Sequence, residues 1–199
     1  MKIALFLGSF NPFHNGHLEC VKKALNDFKM DKVIIVPIMQ NDLDRGERIL
    51  DIDKRAEIIS HSICNDDDIW SSTYYIFSYH NNSDPEYRFP VIKIDLIEKE
   101  LIPPYYSYAT LHALKNKYCN SEIFILCGED TIKEISDWMN GEQILKDYSF
   151  LVVDRPKESI SSSQIREILK NKNKLDNYTD GKLKYFVSPS VIELLKKYY

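Results

Sequence analysis

Two imidazoles, His14 and His17, stand three residues apart in the stretch Gly8-Ser9-Phe10-Asn11-Pro12-Phe13-His14-Asn15-Gly16-His17. Facing one point, they suit the oxygens of a phosphate in transfer. Far downstream, Ile160-Ser161-Ser162-Ser163-Gln164-Ile165-Arg166 gathers three hydroxyls and a guanidinium. Hydroxyls and free N–H groups at a helix start bind phosphate oxygens, and Arg166, one turn in, adds positive charge. Zinc is a competing reading of the histidines, but no Cys, Asp or Glu cluster at ligand spacing accompanies them. A dinucleotide-binding turn fails because no G-x-G-x-x-G follows. Each stretch, taken alone, is also an ordinary capped helix start.

The elements that must position these groups are legible around them. Ile3 to Leu7 is a continuous apolar run, the mark of a strand buried on both faces. From Leu18 onward Leu18, Val21, Ala24, Leu25 and Phe28 recur at helical spacing. The His-bearing stretch is therefore a strand-to-helix turn at the carboxyl end of a strand, where open parallel sheets bind ligands. Gly8 is expected to let backbone approach the ligand, and Gly16 to open the helix. Further strands are expected at Lys32–Pro37, Val91–Leu96, Glu122–Cys127 and Phe150–Val153, separated by helical segments. Asp51 or Asp53 caps the helix that follows the second strand, and Ser161 with Gln164 fits a capping box. Ser188-Pro189 opens a last helix with Val191, Leu194 and Leu195 inward. The alternation predicts an α/β fold, a doubly wound, Rossmann-like parallel sheet with a helical C-terminal region. With no linker or repeat, residues 1–199 read as a single domain. The aromatic-rich 69–90 stretch reads as a hairpin-like insertion, with β character at Tyr74–Tyr79 and a turn at Asn81–Pro85.

The string Gly-Ser-Phe-Asn-Pro-Phe-His-Asn-Gly-His resembles the first signature of the nucleotidyltransferase superfamily, usually G-[ST]-F-D-P-x-[HT]-x-G-H. Asn11 stands where Asp is usual, and it caps a turn much as Asp does. Ile160 to Arg166 resembles the second signature, I-S-S-[ST]-x-I-R, with Ser163 in the place of the usual Thr. Tyr106-Ser107-x-x-Thr110-Leu111, Gly128-x-Asp130, Trp138 and Val152-Val153-Asp154-Arg155-Pro156 are similar to elements of the nicotinate and nicotinamide mononucleotide adenylyltransferases. A Pro-His-Lys loop of that family is replaced by Met39 to Arg45, leaving Arg45, Arg48 or Lys54 as substitute cations.

The resemblance implies an enzyme that transfers the adenylyl group of ATP to a pyridine mononucleotide, nicotinate or nicotinamide, with release of pyrophosphate. It implies His14, His17 and Arg166 as catalytic groups, with Mg²⁺ arriving on ATP and no metal cage of the protein's own. Gly8, Ser9, Phe10, Gly16, Gly128, Asp130, Ser162 and Ser163 are the implied ATP contacts. Tyr106, Ser107, Thr110 and Trp138 are the implied mononucleotide contacts, with Trp138 stacking on the pyridine ring. Trp138 also fits an apolar stripe with Ile132 and Ile135, which is a core reading. A phosphopantetheine adenylyltransferase shares both signatures, and a catalytically silent nucleotide sensor is the alternative from another class.

Composition bounds the partners. A net charge of −4 argues against a nucleic-acid partner. No apolar run approaches a membrane span, and the N-terminus lacks a signal-peptide pattern. Cys20, Cys64, Cys119 and Cys127 form no C-x-x-C pair and are expected as reduced, mostly buried thiols. The expectation is a cytoplasmic protein, with homo-oligomerisation left open.

Overall fold

The computed structural model describes residues 1–39, 49–64, 66, 76–78, 91–154, 161–170 and 181–199. Arg45, Arg48, Arg155, Pro156 and most of the 69–90 stretch lie outside the described residues.

The described strands form one parallel sheet. β1 (Lys2–Gly8) leads to α1 (Asn15–Asn26), β2 (Lys32–Pro37) and α2 (Ile52–Cys64). β3 (Ile76–Ser78) and β4 (Val91–Ile94) precede a 3-10 turn (Ile97–Glu100) and α3 (Ser107–Lys117). β5 (Glu122–Gly128), α4 (Glu129–Glu134), a second 3-10 turn (Ile135–Asp137), α5 (Gly141–Asp147) and β6 (Ser149–Val153) follow. α6 (Ser162–Lys170) and α7 (Pro189–Tyr198) form the C-terminal region. The strand order is β3-β4-β2-β1-β5-β6. Chain order reverses at β1, so the topological switch point of the doubly wound sheet lies between β1 and β5.

The apolar runs of β1 and β2 split by alternation between two layers. Ala4, Phe6, Val33 and Ile35 meet α1, α2, α6 and α7 through Leu18, Val21, Ile58, Ile59, Ile165 and Leu195. Ile3, Leu5, Ile34 and Val36 meet Leu111 and Leu114 of α3, with Ile135 and Ile144. Each such side chain taken from water contributes roughly 1.5–3 kcal/mol. Covering both faces is what the unbroken apolar runs required.

Three expectations change. β3 pairs in parallel with β4, Ile76 opposite Val91, so the described part of the stretch adds a short parallel strand to the sheet, and the expected turn and second arm lie outside the described residues. Phe28 is 36% exposed, because α1 ends at Asn26 and Lys29, at φ 54°, turns the chain so that Met30 takes the core position. Cys20 and Cys127 are buried but Cys64 and Cys119 are exposed, each at or just beyond the solvent end of a helix. The caps behave as read: Asp51 Oδ1 accepts the Asp53 N–H at 2.9 Å. Ser161 and Gln164 bond reciprocally, N–H to Oε1 at 2.9 Å and Oγ to N–H at 3.3 Å.

Candidate active site

The turn from Gly8 to His17 leaves the carboxyl end of β1 at the switch point. The β1–β5 register runs Lys2 opposite Glu122 to Leu5 opposite Ile125. Carried three residues further, it sets Gly8 level with Gly128. The two predicted nucleotide turns are thus neighbours.

Within the first turn, the phenylalanines build a cage for His17. Its ring centroid lies 5.1 Å from that of Phe10, 5.2 Å from Phe13 and 6.0 Å from Phe6. His14 stacks on it at 3.8 Å, interplanar angle 30°. The His14 backbone N–H donates to His17 Nδ1 at 3.3 Å. In a neutral His17 ring the proton then sits on Nε2, leaving that atom as the donor. Gly16 makes the stack fit, since a Cβ there would stand 3.1 Å from the His14 ring.

Gly8 also has a packing role. A Cβ on Gly8 would come within 2.9 Å of the Phe10 ring, so the glycine accommodates that ring. Phe10 is 2% exposed and holds φ 44°, a left-handed conformation costing a side-chain-bearing residue roughly 1–3 kcal/mol. The α1 N-terminus is also less open than read: the Asn15 N–H donates to the Phe186 carbonyl at 2.8 Å.

The second predicted motif packs directly onto the first. Ser162 Oγ donates to the Pro12 carbonyl at 2.9 Å, and Arg166 Nη1 donates to the Asn11 carbonyl at 2.7 Å. Arg166 Nη2 donates to Ser163 Oγ at 3.1 Å, while Ser163 itself is exposed. About 150 residues of intervening chain are closed by these contacts, which bring His14, His17, Ser162, Ser163 and Arg166 into one locality.

Asn11 is 2% exposed. Its Oδ1 accepts the Leu50 N–H at 3.2 Å and the Tyr199 hydroxyl. Burial raises the Tyr199 phenol above its usual range, against the opposing pull of Arg166 and Arg55, so it stays protonated and donating. An amide oxygen meets both donors, which explains how Asn serves in a place where Asp is usual.

Sequence reasoning missed Arg55, which is 1% exposed. Its Nη1 donates to the Ser9 carbonyl at 2.6 Å and its Nε to the Leu50 carbonyl at 2.7 Å. Burial lowers Arg55 to about 10, with Tyr199, Glu98 and Asp51 pulling the other way; it remains a cation at neutral pH. The available signal was a charge at the i+3 position of the apolar series Ile52, Ala56, Ile59. Lys54, one of the candidate cations, instead lies over the Tyr198 ring at 5.3 Å.

On the other sheet face, Tyr106 and Ser107 are half-buried at the start of α3. Thr110 is fully buried, and its Oγ1 donates to Glu98 Oε1 at 2.6 Å. A hydroxyl so committed does not reach a ligand, so a direct mononucleotide contact by this side chain is corrected to support of the segment. Gly128 caps α4 and is buried, and Asp130 is exposed in the first turn beyond it. Trp138 does not continue the helical stripe of Ile132 and Ile135. α4 ends at Glu134, and Trp138 is extended at φ −78°, ψ 158° after the 3-10 turn. Its N–H donates to Ile135 O at 3.1 Å and its carbonyl accepts the Gly141 N–H at 2.9 Å. A Cβ at Gly141 would lie 1.7 Å from the Ile135 carbonyl oxygen, so the fold of this turn requires glycine. The indole is half-buried against the Leu5–Leu111 layer, on the same sheet face as Tyr106 and Ser107. The packing reading therefore holds for one portion of the ring, and the rest is open.

Among the described residues no group of three or more His, Cys, Asp or Glu side chains gathers as a metal cage, and no helix is long and apolar enough to cross a membrane.

The cytidylyltransferase-like family model matches residues 5–168. A protein of Flavobacterium johnsoniae named probable nicotinate-nucleotide adenylyltransferase is 30% identical over 155 residues, covering 78% of this chain and 68% of its own length. The nicotinate-nucleotide adenylyltransferase of Bacillus subtilis is 26% identical, covering 94% of this chain and 95% of its own. Among solved structures, the nicotinic acid mononucleotide adenylyltransferase of Plasmodium falciparum complexed with NaAD superposes with a TM-score of 0.69 at 19% identity, covering 98% of this chain and 95% of that one. With both predicted motifs joined at the switch point of a doubly wound sheet, the chain belongs to the cytidylyltransferase-like family and, within it, to the nicotinate-nucleotide adenylyltransferases.

Proposed function

We propose that the protein transfers the adenylyl group of ATP to nicotinate mononucleotide, forming the dinucleotide and pyrophosphate. The observation that carries this reading is the joining of the two phosphate-binding motifs, Arg166 on the Asn11 carbonyl and Ser162 on the Pro12 carbonyl. Such a pair of helix starts fits a triphosphate cleaved between its α and β phosphates. The choice of nicotinate over nicotinamide rests on the names of the relatives.

The nucleophile is the phosphate monoester of the mononucleotide, whose second pKa is about 6, so it is already largely ionised at neutral pH. No protein base or covalent nucleophile is required. Catalysis is positioning plus charge stabilisation at the α phosphorus. His17, held by its aromatic cage with Nε2 as donor, and His14 stacked on it serve the α and β phosphate oxygens. Arg166, held on the Asn11 carbonyl and Ser163 Oγ, stabilises the leaving pyrophosphate through its positive charge. Asp130, in the first turn of α4, takes a ribose in this reading, and Tyr106, Ser107 and the open part of Trp138 take the mononucleotide. Mg²⁺ belongs to the ATP as its counter-ion, and no step is routed through a protein-held metal.

A side-by-side turnover assay with nicotinate mononucleotide, nicotinamide mononucleotide and phosphopantetheine tests the reading. Pyrophosphate release fastest with nicotinate mononucleotide is expected. Preference for phosphopantetheine, or no release with any acceptor, defeats it.

A further inference from the structure

Two ionisable side chains, Arg55 and Glu98, are each only 1% exposed and have no part in the chemistry above. Burying charge is costly, and a buried polar group in an otherwise apolar layer needs an account. Arg55 reaches from the first turn of α2 to the Ser9 carbonyl in the nucleotide turn. Glu98 sits in the 3-10 turn between β4 and α3. Its Oε2 accepts the Met39 N–H and its Oε1 accepts the Thr110 hydroxyl.

The bonds of Glu98 join a continuous path. Gly8 O accepts the Ile38 N–H at 3.0 Å, and the next residue, Met39, donates to Glu98. Thr110, on the far side of Glu98, bonds through its N–H to Tyr106 O at 3.2 Å. The path thus runs from the end of β1, through Ile38, Met39, Glu98 and Thr110, to Tyr106 at the start of α3. Arg55 holds the residue after Gly8 through the Ser9 carbonyl.

We propose that Arg55 and Glu98 are positioning residues that hold the nucleotide turn and the mononucleotide segment at a set separation, so that attacking and attacked phosphates meet. The inference rests on the adenylyl-transfer reading of the site. Electrostatics agree with the geometry: burial raises the Glu98 carboxyl, and the Arg55 charge is among the features that offset this. Small errors in separation are expensive for a reaction that depends on near-attack geometry.

The variants are Arg55→Lys, Glu98→Gln and Thr110→Val, with Thr110→Ser as the conservative control. Each is measured for melting temperature, ATP affinity by calorimetry, and kcat and KM for both substrates. Arg55→Lys is expected to weaken ATP about tenfold, since a lysine cannot meet the Ser9 and Leu50 carbonyls together. Glu98→Gln and Thr110→Val are expected to lower kcat about tenfold with ATP affinity nearly unchanged, and Thr110→Ser to restore it. If Glu98→Gln does not fold, the two Thr110 variants decide the Glu98 arm. Folded variants with lower melting temperatures but wild-type constants show a purely structural role and overturn the proposal. A wild-type chain that binds ATP but turns over no mononucleotide defeats the functional reading alone, and ATP affinity of Arg55→Lys then decides the strut. A wild-type chain that neither binds nor turns over ATP defeats both.

Discussion

Arg166 and Asn11 are 155 residues apart, yet Arg166 Nη1 donates to the Asn11 backbone carbonyl at 2.7 Å. The guanidinium therefore both closes the turn and presents charge beside it. Its delocalised charge permits this, because the guanidinium stays cationic while Nη1 binds the carbonyl and Nη2 binds Ser163 Oγ.

Arg166→Lys should therefore lose one of the two tasks. A charge-assisted bond is worth about 1.5–3 kcal/mol, which is roughly tenfold to hundredfold in affinity. We expect ATP affinity and rate both to fall within that range, measured by calorimetry and steady-state kinetics. Unchanged constants would leave the second motif as a capped helix and nothing more.

Asn11 tests whether the departure from the usual Asp silences the site. Asn11→Asp retains the oxygen that accepts from Leu50 and Tyr199. Turnover within about threefold of wild type is expected, because the hydrogen bonds survive. Asn11→Leu strands a buried backbone N–H and should cost about 1–3 kcal/mol of stability, read by denaturant unfolding. A large gain in turnover for Asn11→Asp would show that the native chain is impaired.

Trp138 is half-buried, and its two roles separate by measurement. If the open part stacks on a pyridine ring, Trp138→Ala raises the mononucleotide constant about tenfold to a hundredfold, by analogy with bases on aromatic platforms. The ATP constant should barely move, and Trp138→Phe should recover part of the loss. A fall in melting temperature with both constants affected alike would assign the residue to packing alone.

Glu98 makes a pH signature. Its carboxyl is raised above 4.5 by burial, against the bonds from Thr110 and Met39 and the charge of Arg55. The native state therefore holds this proton more firmly than the unfolded chain does. The associated stability is present below the unfolded value and is lost as pH rises through the native one. The stability difference between wild type and Glu98→Gln should fall as pH rises above the ordinary carboxyl value of 4.5, followed by urea unfolding. A difference that stays level or grows as pH rises would contradict the raised value.

The two motifs at the end of β1 and before α6, and the doubly wound sheet, were legible because their signals are local. An apolar run, a glycine-bounded turn and a hydroxyl-rich helix start each lie within a few residues. Arg55, Glu98 and Tyr199 were not singled out, because their importance lies in partners from distant elements: Ser9, Met39, Thr110 and Asn11. Thr110 was correctly placed in its segment but given a ligand contact that its burial denies. The packing role of Gly8 was not legible, because spacing does not reveal that the Phe10 ring folds back against it. Trp138 was placed on a regular helix, and the close approach of Gly141 to Ile135 that ends the helical path leaves no periodic trace.

The most direct test is pyrophosphate formation from ATP and nicotinate mononucleotide by wild type and His17→Ala. The wild type should release one pyrophosphate per dinucleotide formed. His17→Ala should still fold, at a lower melting temperature because the ring contacts and the bond from the His14 N–H are lost, and turn over about two to three orders of magnitude more slowly, the usual loss when a transition-state donor is removed. A wild type that releases no pyrophosphate, or a His17→Ala variant as fast as wild type, would contradict the account.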